Sequence, residues 1–167
     1  SIFLNSTVIM IDVLRASSSI INAIRNGAEK VIPAADAGEA ASIAVKLGLK
    51  DRLLAGERGG LRLPGFDLGN SPLEFTEETV KGRTVIISTT NGTAAIQKAR
   101  TARSLIIGGM INRTAAAKAA VRQGGNILIL CAGTDGNFSA DDVCTAGAIL
   151  DAIQNESNEP VETNDLG

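Results

Sequence analysis

Val8-Ile9-Met10-Ile11-Asp12-Val13-Leu14-Arg15-Ala16-Ser17-Ser18-Ser19 is an aliphatic run that ends on a carboxylate and an arginine, then opens a helical pattern. The arrangement recurs along the chain. Leu53-Leu54-Ala55-Gly56 runs into Glu57-Arg58-Gly59-Gly60, and Val85-Ile86-Ile87 into Ser88-Thr89-Thr90-Asn91-Gly92-Thr93. Ile127-Leu128-Ile129-Leu130 runs into Cys131-Ala132-Gly133-Thr134-Asp135-Gly136. Unbroken aliphatic runs are what strands buried on both faces require, and such strands belong to sheets covered by helices. In an open α/β sheet the carboxyl ends of parallel strands share one edge, and ligands bind there. Carboxylates, arginines, hydroxyls and helix-opening glycines at that edge suit a phosphorylated acid and a hard metal ion.

The rest of the chain keeps the same rhythm. Periodicity predicts strands at 7–13, 29–34, 52–56, 83–88, 103–108 and 126–131, and helices at 17–26, 36–47, 92–100, 112–123 and 139–153. A short helical piece falls within 72–80, after a long loop over 57–71. This alternation is the pattern of a layered α/β fold. Asp36 with Glu39, Ser71 with Glu74, and Ser139 with Asp142 have the spacing of an N-cap and its partner. Pro72 then sits at the first helical position, and Gly27, Gly48 and Gly124 fall where helices should stop. The loop is long enough to be functional, and its glycines let backbone approach a ligand.

A chain of 167 residues supports one substantial core, so a single α/β domain over 1–167 is expected. It is 44% apolar with four Phe and no Trp or Tyr, so Ile, Leu, Val and Ala must fill that core. A net charge of −2 and few aromatic rings argue against nucleic-acid binding. No stretch has the length of a membrane span and no leader pattern opens the chain. Two cysteines fit a reducing, cytoplasmic setting. The absence of histidine removes Ser-His and Cys-His nucleophile pairs and His-ligated zinc. Catalysis must then rest on carboxylates, hydroxyls, a thiol, Lys or Arg, with an oxygen-coordinated metal.

Each motif has a plain reading beside a functional one. Asp12 and Arg15 form either a structural pair or a site in which Asp12 meets Mg²⁺ or attacks phosphorus while Arg15 grips an anion. Ser17, Ser18 and Ser19 present hydroxyls and amides at a helix start, one of them as a simple cap. Glu57-Arg58 repeats the acid–arginine theme or is a surface loop. Asp67 and Asn70 are site candidates, whereas Ser71 and Glu74 read better as a capping box. Thr89-Thr90-Asn91-Gly92-Thr93 is an ordinary turn or a phosphate cradle. Cys131 reads first as a space-filling thiol, Cys144 as core, and Asp141 and Asp142 as first-turn acids. Neither a Walker A segment nor a GxGxxG fingerprint is present.

Taken together, these segments resemble the 2-phosphosulfolactate phosphatases of coenzyme M biosynthesis and their bacterial relatives. The resemblance rests on Ile11–Ser18, Gly56–Gly60, Gly65-Phe66-Asp67-Leu68-Gly69-Asn70-Ser71-Pro72, Thr89–Thr93, and Cys131-Ala132-Gly133 followed by Ser139-Ala140-Asp141-Asp142. It implies a three-layer α/β/α fold with a mixed, mostly parallel sheet. It also implies a Mg²⁺-dependent phosphatase that hydrolyses 2-phospho-3-sulfolactate to 3-sulfolactate and phosphate. Family chains extend further, so this one is expected to be a segment of a longer protein whose remainder supplies more sheet and site residues. On this reading Asp12, Glu57 and Asp67 hold Mg²⁺, while Arg15 and Arg58 bind phosphate or sulfonate oxygens. Ser17, Ser18, Asn70, the turn Thr89, Thr90, Asn91, Gly92 and Thr93, and Cys131 contact the rest of the substrate.

Two alternatives stay open: a phosphatase for another 2-phosphohydroxy acid, and a non-catalytic anion- or nucleotide-binding module. A purely structural α/β domain is a third. A homo-oligomer using the Ala-rich helix at 112–121 is a further expectation.

Overall fold

The computed structural model describes residues 2–48 and 51–164. The last three residues of the polar tail lie outside that range. Strand β1 (Ser6–Ile11) is buried along its whole length because it is central, parallel to β6 (Ser104–Gly108) on one side and β7 (Asn126–Cys131) on the other. Strand β5 (Thr84–Ser88) is central in the same way, parallel to β2 (Lys30–Pro33) and β3 (Arg52–Arg58). The proline at the end of β2 suits an edge strand, which can spare a ladder donor. A two-residue strand β4 (Leu61–Arg62) pairs antiparallel to β3.

The α/β class with mostly parallel strands holds, and its strands form two hydrogen-bonded sheets of order β6-β1-β7 and β2-β5-β3-β4. Helices α1 (Ala16–Arg25) and α4 (Gly92–Lys98) pack in the cluster between them, where Met10 of one sheet and Leu53, Val85 and Ile87 of the other meet Ile20, Ala23, Ala95 and Ile96. The outer face of the first sheet carries α5 (Arg113–Gln123) and α6 (Ala140–Glu156), through Ile9, Ile11, Ala116, Ala117, Ala120, Ile149 and Ile153. The outer face of the second carries α2 (Ala37–Lys46), through Ile86, Ala40 and Ala44. Helix–sheet–helix layering therefore occurs twice, with the middle helices shared. Each fully buried Ile contributes roughly 1.5–3 kcal/mol by leaving water.

Local chemistry sets the boundaries. Asp36 accepts from the Glu39 N–H at 2.8 Å, the cap that the spacing predicts, while Glu39 reaches one residue further back, to the Ala35 N–H at 2.6 Å, instead of to the N-cap N–H. Glu74 likewise accepts from the Ser71 and Gly69 N–H groups, ahead of the short helix α3 (Glu77–Val80). The third expected cap differs. The Ser139 hydroxyl turns to Asp141, and the Asp142 side chain, on the first turn of α6, accepts from the Val13 and Gly133 N–H groups instead. Cys144 is exposed rather than core, because it lies on the face of α6 away from the sheet contacts of Ile149 and Ile153. The Ala116, Ala117 and Ala120 stripe of α5 packs within the fold, and its opposite face at 113–115 and 118 is exposed. Among the described residues no helix is long and apolar enough to cross a membrane.

Candidate functional site

The carboxyl ends of β1, β3 and β5 and the turn after β7 open into one cavity of about 290 Å³. Asp12, Leu14 and Arg15 come from the β1–α1 turn, and Glu57, Gly59 and Gly60 from the end of β3. Asn70 enters from the loop before Pro72, Thr90 and Asn91 from the β5–α4 turn, and Thr134 and Asp135 from the β7–α6 connection. The walls thus belong to both sheets.

Two tight turns frame the cavity. Gly59 and Gly60, both at positive φ (57° and 82°), close the β3–β4 hairpin where sequence periodicity indicates only loop. Asp135 and Gly136 (φ 51° and 78°) close a second turn bridged by Thr134 and Asn137. Positive φ at both central positions is the geometry of a two-residue hairpin turn, which glycine and aspartate tolerate. Across the mouth, the Asp135 N–H donates to Asn91 Oδ1 at 3.2 Å.

Asp12 is buried and has little around it to stabilise a charge. Burial pushes its carboxyl up to about 6; the Ala16 N–H opposes this, and the nearby charges of Asp142, Glu57 and Asp141 add to it. Room for the carboxylate depends on Gly92, where a Cβ would lie 2.6 Å from Asp12 Oδ2 and 2.4 Å from the Ala16 Cβ. The Asp12 backbone is fixed by Ser17, whose hydroxyl accepts from the Asp12 N–H at 2.9 Å and whose N–H donates to the Asp12 carbonyl at 2.8 Å.

Glu57 differs in every respect but burial. Its Oε1 accepts from the Thr90 N–H at 2.7 Å; its Oε2 accepts from the Gly60 N–H at 2.8 Å and the Thr90 hydroxyl at 3.2 Å. Burial alone would raise its carboxyl, but these donors and the Arg58 charge outweigh it and hold Glu57 below the ordinary value. Glu57 is therefore a clamp joining the β3–β4 hairpin to the β5–α4 turn.

The arginines divide in the same way. Arg15 lines the cavity with a single long contact, 3.5 Å to the Gly60 carbonyl. Arg58 lies outside it: its guanidinium donates to the Glu57 carbonyl at 2.7 Å, the Ala35 carbonyl at 3.0 Å and the Ser88 hydroxyl at 3.0 Å. Three acceptors hold it, so it does not join Arg15.

Of the residues singled out by sequence, the structure brings together Asp12, Arg15, Glu57, Asn70, Thr90 and Asn91. It places the others elsewhere. Asp67 accepts from the Leu54 N–H at 2.8 Å, serving the strand rather than joining Asp12 and Glu57. Thr89 and Thr93 bond each other, with the Thr93 hydroxyl donating to the Thr89 carbonyl at 2.7 Å. Ser17 and Ser18 are occupied by the β1–α1 turn, the latter donating to the Val13 carbonyl at 2.7 Å. Gly92 contributes space behind Asp12. Cys131 ends β7 outside the cavity lining, its thiol pushed up by burial and then by Asp142 and Asp141.

Thr134 and Asp135 line the cavity without having been singled out, although the Asp-Gly pair that makes their turn is plain in the sequence. Asp142, only 2% exposed, accepts from the Val13 N–H at 2.9 Å and the Gly133 N–H at 3.0 Å, binding the ends of β1 and β7 together. Nothing local distinguishes it from an ordinary first-turn acid.

The fold and the cavity define an α/β domain that gathers acids, amides and the Arg15 guanidinium at the carboxyl ends of its strands. The chain belongs to the 2-phosphosulpholactate phosphatase family, whose profile matches residues 2–167. A protein of Caldanaerobacter subterraneus subsp. tengcongensis named "Probable 2-phosphosulfolactate phosphatase" is 43% identical over 159 residues, 95% of this chain and 65% of its own length. Proteins of the same name from Clostridium acetobutylicum and Clostridium novyi are 44% and 42% identical, covering 89% and 97% of this chain. The chain spans 63 to 68% of the length of these relatives.

Proposed function

We propose that the protein containing this chain hydrolyses 2-phospho-3-sulfolactate to 3-sulfolactate and inorganic phosphate with the help of Mg²⁺, as a step of coenzyme M biosynthesis in the cytoplasm. The observation that carries the reading is the meeting of Asp12, Arg15, Asn70, Thr90 and Asn91 in one cavity between two sheets. The names of the relatives supply the substrate. Two free cysteines, Cys131 and Cys144, fit a reducing compartment.

The substrate carries phosphate, carboxylate and sulfonate on three carbons. Among the described residues Arg15 is the one Lys or Arg side chain lining the cavity, against the carboxylates of Asp12, Glu57 and Asp135. Such a hollow repels a polyanion unless a cation is added. The donor set fits that addition: the buried carboxylate of Asp12 and, among the described residues, an amide oxygen with no hydrogen-bond partner, Asn70 Oδ1. Bound there, Mg²⁺ would neutralise phosphoryl charge and polarise the ester. Arg15, with one long contact to release, is able to grip phosphate or sulfonate bidentately. The Thr90–Asn91 turn, pinned by Glu57, holds the opposite wall in place before substrate arrives.

Phosphate release decides the matter. The full-length protein should turn over 2-phospho-3-sulfolactate with a higher kcat/KM than phosphoglycolate or phospholactate, and should lose turnover in EDTA. A preference for another member of that panel would move the assignment to a different 2-phosphohydroxy acid. Background release from all of them would leave a binding module.

A further inference from the structure

Asn70 is the unexplained group of the cavity. It is 5% exposed, and among the described residues its Oδ1 is the buried side-chain oxygen or nitrogen left with no hydrogen-bond partner. A buried acceptor without a donor costs stability, so its retention calls for a reason. Its position is not accidental. The Ser19 hydroxyl of α1 donates to the Asn70 carbonyl at 3.0 Å. On either side, the Gly69 and Ser71 N–H groups are held by the two oxygens of Glu74, at 2.9 and 3.2 Å. Three contacts thus fix the backbone of a residue whose own side-chain oxygen is left unused at the cavity wall.

The chemistry of the substrate narrows what that oxygen can meet. A 2-phosphorylated sulfo-acid presents only phosphate, carboxylate and sulfonate oxygens and carries no hydroxyl, since the phosphoryl group occupies it. Such a ligand offers acceptors alone, and an acceptor has nothing to bond in it. A hard cation is the complementary partner. The carboxylates cannot make that seat by themselves: among the described residues no three His, Cys, Asp or Glu side chains come together as a metal site. Glu57 already receives three hydrogen bonds and Asp67 serves β3. Mg²⁺ is commonly held by one or two carboxylates, with waters and substrate oxygens completing its shell, so a single amide oxygen on the same cavity as Asp12 is in keeping with its habits.

We propose that Asn70 Oδ1 is a direct ligand of the divalent cation, so that Asp12 and Asn70, one from each side of the β1–α1 turn and the 65–71 loop, form the protein's share of the cation seat. This rests on the phosphatase reading, to which it adds the identity of a ligand. It assigns Asn70 Oδ1 to the metal, and leaves the Nδ2 amide as a donor for the substrate's anionic groups.

The test is Mn²⁺ binding to the metal-free full-length protein, followed by electron paramagnetic resonance with no substrate present. Asn70→Ala should weaken Mn²⁺ binding at least about tenfold. Asn70→Asp, which puts a charged oxygen at the same place, should bind as tightly as wild type or tighter. If Asn70→Ala fails to fold, Asn70→Asp against wild type carries the test, and looser binding by the aspartate overturns the proposal. Wild-type affinity in a folded Asn70→Ala also overturns it, whether the variant loses kcat (Asn70 orienting water) or gains KM (Asn70 binding an anion). Either result leaves the phosphatase reading standing. A wild-type protein that takes up no Mn²⁺ overturns the proposal together with the cation-assisted part of that reading, while phosphate release tests the rest.

Discussion

The end of β1 and the end of β3 carry the same local text, an aliphatic strand followed by an acid and an arginine, yet the fold treats them in opposite ways. At β3 both side chains are engaged: Glu57 takes three donors and Arg58 gives to three acceptors. At β1, Asp12 keeps a carboxylate with few partners, and Arg15 has one long contact. The difference teaches that availability, not residue type, separates a site from its scaffold. A charge whose hydrogen bonds are already satisfied holds walls together, and one left in want of partners is where a ligand brings free energy.

Exchanging each acid for its amide should break the symmetry most sharply. Asp12→Asn should lower kcat by on the order of 10³-fold or more, with little loss of fold, as phosphate-release kinetics and urea unfolding would show. Glu57→Gln should do the reverse in emphasis. With an NH₂ set against donors, it should cost roughly 2–3 kcal/mol of stability in urea, with Mn²⁺ affinity much less affected than by Asp12→Asn.

The two acids should also respond oppositely to pH in metal-free protein. The folded value of Asp12, about 6, lies above its ordinary 3.8. Its contribution is thus fully present below 3.8 and disappears as pH rises through 6, an upper limit of roughly 3 kcal/mol. Glu57 is held below its ordinary 4.5, so its contribution is present above that value and lost as pH falls through the depressed one. Urea midpoints between pH 4 and 7 should fall with rising pH in wild type and lose that slope in Asp12→Asn.

Smaller effects sharpen the same contrast. Gly92→Ala forces a methyl against Asp12 and Ala16, and the displaced carboxylate should cost about 10- to 100-fold in kcat/KM with both sheets intact by circular dichroism. Arg15→Ala should raise KM about tenfold without moving Tm. Arg58→Ala should leave KM near wild type and cost about 1–2 kcal/mol of stability, because it strips donors from the Ala35 carbonyl and the Ser88 hydroxyl.

Strand and helix positions were legible because aliphatic runs such as Val8–Ile11 and Val85–Ile87, and caps such as Asp36 with Glu39, are local signals. Pairing was not. Nothing in periodicity says that β1 sits between β6 and β7 while β5 gathers β2 and β3, so two sheets read as one. The same limit applied within the site. Asp12, Arg15 and Asn70 lay on motifs at strand ends and in the glycine-rich loop. Asp67 and Arg58 looked equivalent to them until nearby backbone groups, such as the Leu54 N–H and the Ala35 carbonyl, were in place to occupy them. Asp142 was hidden for the same reason, its partner Val13 lying 129 residues away.

One flank of the hollow hangs from each sheet, and the helical layer between the sheets is filled in part by the small side chains Ala23 and Ala95. A bulkier residue there would act as a wedge, spreading the jaws without touching any group that meets the ligand. On the cation reading proposed above, discrimination between ions of different radius would then be tuned from deep in the interior, by spacers instead of by the ligating atoms.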